Sequence, residues 1–131
     1  MDRDAETFQA LADPTRLRLL NLLRQAGGVC VCEFVDALRL PQYNISRHLQ
    51  VLRQTGLVED HKRGKWVYYS ISKHLEPYQR ALLRAVDQLR EGREDFRQDE
   101  ARAGRRLKLR RDGLCCVGLV QQIGEARAPG H

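Results

Sequence analysis

The sequence predicts a mainly α-helical domain with one small β-hairpin, and two patterns lead to this fold class. Apolar residues recur at helical spacing through most of residues 5–91, whereas two short adjacent segments alternate as strands do. The 131 residues suffice for one domain with its own core. A composition of 42% hydrophobic and 31% charged residues excludes collagen-like, wholly disordered and membrane-embedded proteins.

The first two helices are separated by an Asp-Pro pair. Phe8 and Leu11 predict a short first helix that ends before Asp13. Asp13 is the expected N-cap of the second helix, with Pro14 at its first position, and Gly27 is expected to end it. The apolar stripe of this second helix consists of Leu17, Leu20 and Leu23.

Helices three and four are joined by a short turn at Leu40-Pro41. The third covers roughly residues 30–39. The fourth, over about residues 42–55, has apolar residues at i, i+4 and i+7, which turns one face to the core: Ile45, Leu49 and Leu52. The opposite face then points to solvent and contains Tyr43, Arg47, Gln50 and Gln54.

A hairpin, a fifth helix and a charged tail follow. Residues 57–61 and 65–71 alternate as strands, with Lys62-Arg63-Gly64 as a basic turn between them. Ser72 is the expected cap of the fifth helix, whose apolar stripe runs from Leu75 to Leu89. Most residues between Glu91 and Asp112 are charged, which predicts a solvated helix extension or a disordered arm rather than part of the core.

This order of elements is typical of a winged helix-turn-helix, whose recognition helix enters the major groove of DNA. The net charge of +6 favours such a partner. Gln42 and Arg47 carry the groups that read adenine and guanine, and Ser46 can bond to a base or a phosphate. Arg63 and Lys65 at the hairpin tip are expected to contact phosphates or the minor groove. The alternative is a small domain whose fourth helix merely faces solvent.

Four stretches carry a resemblance to a known family: DPTRL at 13–17, NISRHLQVL at 44–52, GLV at 56–58 and RGKWVYY at 63–69. Together they resemble the ArsR family of metal-responsive repressors over about residues 5–91. The resemblance implies a homodimer formed by the first and fifth helices that binds a twofold-symmetric operator in double-stranded DNA. The resulting candidate DNA-binding residues are Gln42, Tyr43, Asn44, Ser46, Arg47, His48, Arg63 and Lys65.

The domain boundary is therefore expected near residue 91. Residues 1–91 would form a DNA-binding and dimerisation domain, and residues 92–131 a charged C-terminal extension with a Cys-Cys pair. No apolar run approaches the ~20 residues of a membrane span. The N-terminus has acidic residues where a signal peptide needs basic ones, so a cytoplasmic protein without membrane association is expected.

The four cysteines occur as two close pairs, Cys30/Cys32 and Cys115/Cys116. In a reducing compartment such thiols are ligands, redox centres or plain buried residues more often than structural disulfides. Thiolates are soft ligands suited to As(III), Sb(III), Cd(II) or Pb(II). Residues i and i+2 do not share a helical face, so Cys30 and Cys32 are expected to bind one ion only if the first helical turn unwinds or rotates.

The segment around Cys30 and Cys32 resembles the third-helix thiol motif of arsenite and cadmium sensors in this family. Arsenite sensors of the enteric type have a further cysteine where this chain has Val35. We therefore predict an inducer site for As(III) or Sb(III) made of Cys30, Cys32 and a thiol from the pair Cys115 and Cys116. A four-thiolate site for Cd(II) or Pb(II), a thiol-redox sensor and a DNA binder without any inducer remain alternatives.

An enzyme is not expected. The C-x-C spacing lacks the two-residue spacer of thiol oxidoreductases. The sequence also contains no nucleophile–His–Asp set and no Gly-rich phosphate loop.

Overall fold

Six helices and a three-stranded antiparallel sheet form the part of the chain that the computed structural model describes, which is residues 2–111, Gly113 and Cys115. The sheet order is β1-β3-β2. This architecture agrees with the predicted mainly helical class. The elements are α1 (Arg3–Leu11), α2 (Pro14–Ala26), β1 (Val29–Cys30), α3 (Val31–Leu38), α4 (Gln42–Gln54), β2 (Val58–Arg63), β3 (Trp66–Ile71), α5 (Pro77–Leu89) and α6 (Glu94–Leu107).

The start of α2 agrees with the capping prediction. Asp13 is its N-cap, and its Oδ1 accepts hydrogen bonds from the backbone N–H groups of Thr15 at 2.8 Å and Arg16 at 3.1 Å. Pro14 occupies the first helical turn, where it removes no intrahelical bond. Gly27 ends the helix with a φ of 79°, a left-handed conformation that a residue without Cβ adopts without strain.

The core lies between α2, α3, α4 and α5. α4 contributes its predicted apolar face, and each fully buried aliphatic side chain of this kind contributes about 1.5–3 kcal/mol to folding. α3 packs against α4 across a turn of three residues, which makes them the helix-turn-helix pair. The fully buried side chains of this core include Leu19, Leu20, Phe34, Ile45, Leu49, Leu52, Leu57 and Leu83.

The hairpin has a tighter turn than predicted. β2 and β3 pair from Val58 with Ile71 to Arg63 with Trp66, so the turn consists of Gly64 and Lys65. Lys62 and Arg63 therefore belong to the strand, and the predicted turn at residues 62–64 is wrong. Gly64 adopts a φ of 63°, as two-residue hairpin turns require.

Two further boundaries differ from the prediction. A third strand, β1, pairs Val29 and Cys30 with β3. Two residues are too few to show an alternating pattern, so the sequence contained no signal for it. α5 begins after Glu76 rather than at Ser72, whose Oγ instead accepts a bond from the backbone N–H of His74 at 3.0 Å.

The charged segment after residue 91 forms a helix, which is one of the two predicted alternatives, but this helix packs on the core, so the prediction that it lies outside the core is wrong. α6 packs against α2 and α3 and buries Phe96 completely. The charged groups on its inner side are paired: the fully buried carboxylate of Asp99 accepts bonds from Arg18 at 2.8 Å and Arg102 at 3.0 Å. A buried charge is tolerated when it is paired and hydrogen-bonded, which a count of charged residues does not reveal. Among the described residues, no helix is long and apolar enough to cross a membrane.

Candidate thiol site and nucleic-acid interface

Cys30 and Cys32 lie side by side without any distortion of α3. Cys30 is the N-cap residue of α3, in an extended conformation, and its backbone N–H donates to Glu33 Oε1 at 2.9 Å. Because Cys30 precedes the helix, the i, i+2 restriction does not apply to it, and its Sγ lies 3.3 Å from that of Cys32. The prediction that the first turn must unwind to bring these sulfurs together is wrong.

Cys115 joins these two cysteines from the far end of the described chain. Its Sγ lies 3.0 Å from Cys32 Sγ, and its backbone N–H donates to the hydroxyl of Tyr68 at 2.5 Å. All three thiols are buried, and their sulfurs lie within 4.8 Å of one another. Cys116, the other predicted ligand in the tail, lies outside the described residues.

The contact between Cys30 and Cys32 shifts the pKa values of these two thiols in opposite directions. The contact from the Cys32 thiol favours the charged form of Cys30 and lowers the pKa of Cys30 to about 6. The same contact, together with burial and the nearby Cys115, raises the pKa of Cys32. Cys30 is therefore the member of this pair that loses its proton more readily.

Arg106 is a residue of this site that sequence reasoning missed. Its buried guanidinium places Nη2 at 3.6 Å from Cys32 Sγ and 3.4 Å from Cys115 Sγ, and its Nε donates to Asp36 at 2.6 Å. Within a helix rich in charged residues, nothing in the sequence sets this arginine apart from its neighbours. Only the packing of α6 on α3 gives it this position.

Two ion pairs lie close to the three sulfurs. Arg110 pairs with the buried carboxylate of Glu33 at 2.6 Å, as Arg106 does with Asp36. These pairs connect α6 and the residues after it to α3. They also leave the sulfurs in surroundings where two positive and two negative groups offset each other.

Half of the predicted DNA-binding residues of α4 are exposed, namely Gln42, Tyr43 and Arg47. Tyr43 is 74% exposed, and the Arg47 guanidinium lies 5.8 Å from the centre of its ring. Gln42 is also exposed, whereas Asn44 and Ser46 are half-buried. The N-terminal half of α4 therefore presents polar and cationic groups to solvent, as a groove-reading helix does.

The hairpin adds a second basic element beside α4. Arg63 and Lys65 are exposed, and Lys65 Nζ lies 5.0 Å from the centre of the Trp66 ring. A cleft of about 530 Å³ lies between α4 and the hairpin, lined by residues of both. The two predicted DNA-binding elements are thus neighbours in the fold.

His48 is placed differently from the other predicted DNA-binding residues. Its side chain is buried, and its Nδ1 faces Arg16 Nη1 at 3.0 Å. Burial lowers the pKa of His48 below its ordinary value of 6.5. The neutral ring can then accept the bond from Arg16, whose Nε donates to the carbonyl of Ala10 at 2.6 Å. Contact of His48 itself with a phosphate stays a prediction.

The amino-acid sequence of this chain is similar to those of known proteins of one family. The model of the family described as bacterial regulatory protein, arsR family, matches residues 13–60. The arsenical resistance operon repressor of Escherichia coli K12 is 44% identical over 78 residues, which are 60% of this chain and 67% of that protein. The arsenic resistance transcriptional regulator ArsR2 of Pseudomonas putida KT2440 is 34% identical over 113 residues, or 85% and 96% of the two chains.

Solved structures support the fold. The homodimeric winged helix-turn-helix DNA-binding domain of Mb0332 from Mycobacterium bovis matches with a TM-score of 0.58 and 31% sequence identity. The match covers 69% of this chain and 80% of that one. The predicted winged helix-turn-helix fold is confirmed by this likeness, with α4 as the second helix of the motif and β2–β3 as the wing.

Proposed function

Because this chain belongs to the arsR family of DNA-binding transcriptional regulators, we propose that it is a homodimeric repressor that releases its operator when trivalent arsenic or antimony binds Cys30, Cys32 and Cys115. Membership of this family makes it a regulator rather than an enzyme. The observation that carries the proposal is the cluster of three buried thiols from two distant parts of the chain.

Three adjacent thiols suit a trivalent pyramidal centre. Arsenite, As(OH)₃, exchanges each As–O bond for an As–S bond, and each thiol proton leaves with a hydroxide as water. Soft sulfur ligands favour such a centre over hard cations. The short distances between the sulfurs, 3.3 Å and 3.0 Å, support binding to one central atom with little rearrangement.

Charge balance favours a trivalent over a divalent centre. Three thiolates and As(III) or Sb(III) form a neutral unit, whereas three thiolates and Cd(II) or Pb(II) carry one net negative charge. The nearby Arg106 and Arg110 are already paired with Asp36 and Glu33. The negative charge of a divalent complex would depend on Arg106, which contacts Cys32 and Cys115 but already pairs with Asp36, whereas the neutral trivalent unit needs no counter-charge.

The position of the site supports coupling to DNA. Cys30 and Cys32 lie at the start of α3, which packs on α4, while Cys115 follows α6. An arsenic atom bonded to all three would link α3 covalently to the segment after α6 and so restrict their relative movement. A coupling free energy of ~1–3 kcal/mol, or ~5–150-fold in operator affinity, is the usual range for such an effect.

The dimer is proposed to form through α1 and α5. Phe8 on α1 is 56% exposed and Leu89 on α5 is 43% exposed, which leaves apolar surface that a partner subunit could cover. A second subunit that covers them would place two copies of α4 about one turn of DNA apart, as twofold-symmetric operators require.

Electrophoretic mobility of operator DNA tests the proposal. Arsenite is expected to release wild-type protein, whereas Cys30→Ser and Cys32→Ser variants should bind operator and ignore arsenite. Cd(II) added separately should release operator only at higher concentration. Release by Cd(II) at lower concentration than arsenite, or an unchanged arsenite response in both variants, would contradict the proposal.

A second candidate is thiol-redox sensing, which the 3.0 Å contact between Cys32 and Cys115 favours. Hydrogen peroxide would take two electrons and two protons from these thiols, giving a disulfide and two waters. In this case peroxide would release the operator, and Cys115→Ser would abolish that response while Cys30→Ser would not.

A further inference from the structure

Arg39 lies in the turn that joins α3 to α4, and its backbone conformation is unusual. Its φ is 57° and its ψ is 45°, and its backbone N–H donates to the carbonyl of Val35 at 2.9 Å. Among the described residues it is the single non-glycine residue with a positive φ. The Cβ of an L-residue is crowded in this conformation, which is therefore usually left to glycine or asparagine. The turn itself favours another residue type, so the reason for an arginine here lies in its side chain.

The side chain of Arg39 is exposed and carries an unpaired charge. No ion pair or side-chain hydrogen bond of Arg39 is found within the described part of the chain. The other two arginines at this end of α3 differ from it, since Arg18 and Arg102 both pair with the buried carboxylate of Asp99. The charge of Arg39 is therefore available to a partner molecule.

The turn that carries Arg39 is held in place by α2 and α6. Arg102 Nε donates to the carbonyl of Ala37 at 2.6 Å, and Arg18 Nη2 donates to the carbonyl of Leu38 at 3.0 Å. These bonds fix the backbone immediately before Arg39. A ligand that binds here has to order only the arginine side chain, which lowers the entropic cost of binding.

We propose that Arg39 is a DNA-binding residue whose guanidinium contacts a phosphate at the edge of the major groove that α4 enters. This inference rests on the DNA binding in the proposed function and not on its inducer. Three peptide units separate Arg39 from Gln42, so their Cα atoms lie at most about 11 Å apart. The major groove is about 12 Å wide. With Gln42 at the base edges, Arg39 therefore lies near one of the two phosphate strands that border the groove.

The chemistry of the side chain suits this partner. A guanidinium presents parallel N–H donors that match two oxygens of one phosphate. Such a contact fixes the position of the protein on the duplex and carries no sequence information. Arg39 thus adds a positioning contact to the base-reading face of α4, and its effect should appear with DNA of any sequence.

The first test measures how salt affects binding of a fluorescein-labelled DNA duplex of random sequence. Arg39→Asn removes the charge, while asparagine accepts the left-handed backbone. The slope of the logarithm of the binding constant against that of the salt concentration should fall by about 0.9 per subunit. The loss of affinity should therefore be about threefold greater per subunit at ~50 mM than at ~200 mM salt, as fluorescence anisotropy can measure.

Two further variants separate the charge of Arg39 from other effects. Arg39→Lys keeps the charge and should keep the slope of wild type. Arg105→Asn removes the same charge from an exposed position of α6 and should also keep it. An unchanged slope in Arg39→Asn would overturn the inference. An equal loss of slope in Arg105→Asn or in Arg39→Lys would do so as well, because the cause would then be net charge or the turn.

Thermal unfolding excludes a purely structural role for Arg39. Arg39→Asn should unfold at the temperature of wild type or above it, because asparagine adopts the left-handed conformation more readily. Weaker DNA binding without a loss of stability supports a contact with DNA. A lower unfolding temperature with an unchanged slope would make Arg39 a structural residue and overturn the inference.

The second test needs no variant. Phenylglyoxal modifies exposed arginines, and mass spectrometry of the digested protein measures the extent at each one. Bound DNA should protect Arg39 and leave Arg105 reactive. Equal modification of Arg39 with and without DNA would overturn the inference.

The outcomes distinguish this inference from the proposed function. A wild-type protein that binds neither operator nor random DNA contradicts both. DNA binding with an unprotected Arg39 overturns only the role of Arg39. Operator binding that ignores arsenite, with Arg39 protected, contradicts only the proposed inducer and supports the phosphate contact.

Discussion

The sulfur atoms of Cys32 and Cys115 lie 3.0 Å apart, although 83 positions separate these residues in the chain. One belongs to the first turn of α3 and the other follows α6. We predict that arsenite bound across this contact protects the exposed Arg111 from trypsin by holding the segment on α3. Mass spectrometry of the digest measures this, and Cys115→Ser should lose the protection. Equal protection in that variant would contradict binding by Cys115.

Arg47 and Lys65 are expected to contribute differently to operator binding. Arg47→Ala should cost ~1–3 kcal/mol and relax sequence preference if its guanidinium reads a base. Lys65→Ala should weaken binding to all sequences alike. It should also reduce, by about one, the slope of the logarithm of the binding constant against the logarithm of the salt concentration. Fluorescence anisotropy with operator and scrambled DNA at several salt concentrations measures both. Wild-type behaviour of both variants would contradict the assigned interface.

Phe8→Glu is expected to produce a monomer. The substitution places a charge on the exposed apolar surface of α1 that we assign to the dimer. Leu109→Glu is the matched control, since Leu109 is 42% exposed but lies outside α1 and α5. Analytical ultracentrifugation should find the first variant monomeric and weak in operator binding, and the second dimeric. A monomeric wild type at micromolar concentration would rule out this arrangement.

Phe96→Ala is expected to destabilise the whole domain. The ring is fully buried between α6 and the rest of the fold, so its loss leaves a cavity and should cost ~3–5 kcal/mol. Gln98→Ala on the exposed face of α6 should cost little. Urea unfolding followed by circular dichroism compares them. If Phe96→Ala lowers the free energy of unfolding by less than Gln98→Ala does, α6 does not unfold together with the rest of the domain.

His48 is expected to make stability depend on pH below 6.5. Burial lowers its pKa, and the facing Arg16 and Arg47 act in the same direction, while Asp13 opposes them. Between the lowered pKa and 6.5 the unfolded chain binds more protons at this group, so the free energy of unfolding falls on acidification.

Thermal unfolding of wild type, His48→Gln and the exposed His74→Gln between pH 7 and 5 measures this contribution. The change of the unfolding temperature with pH should be smaller in His48→Gln than in wild type and should be unchanged in His74→Gln. The same dependence in all three proteins would place its origin elsewhere.

The fold was largely predictable from local pattern, whereas the thiol site was only partly so. The capping of α2 by Asp13 and the inward face of α4 at Ile45 and Leu49 follow from residues a few positions apart. The sequence also indicated that Cys30 and Cys32 act together. It could not place Arg106 beside them, because its contacts with Cys32 and Asp36 cross 74 and 70 positions of chain.

The amino-acid sequence by itself determined the order of helices, the wing and the polar outer face of α4, because these depend on periodicity and capping within single elements. Only the tertiary structure decided that α6 belongs to the core and that Cys115 reaches Cys32. The burial of α6 depends on ion pairs such as Arg18–Asp99, because a buried carboxylate is tolerated only when folding brings a partner that offsets the loss of its hydration. The sequence of a charged helix does not by itself indicate such a partner.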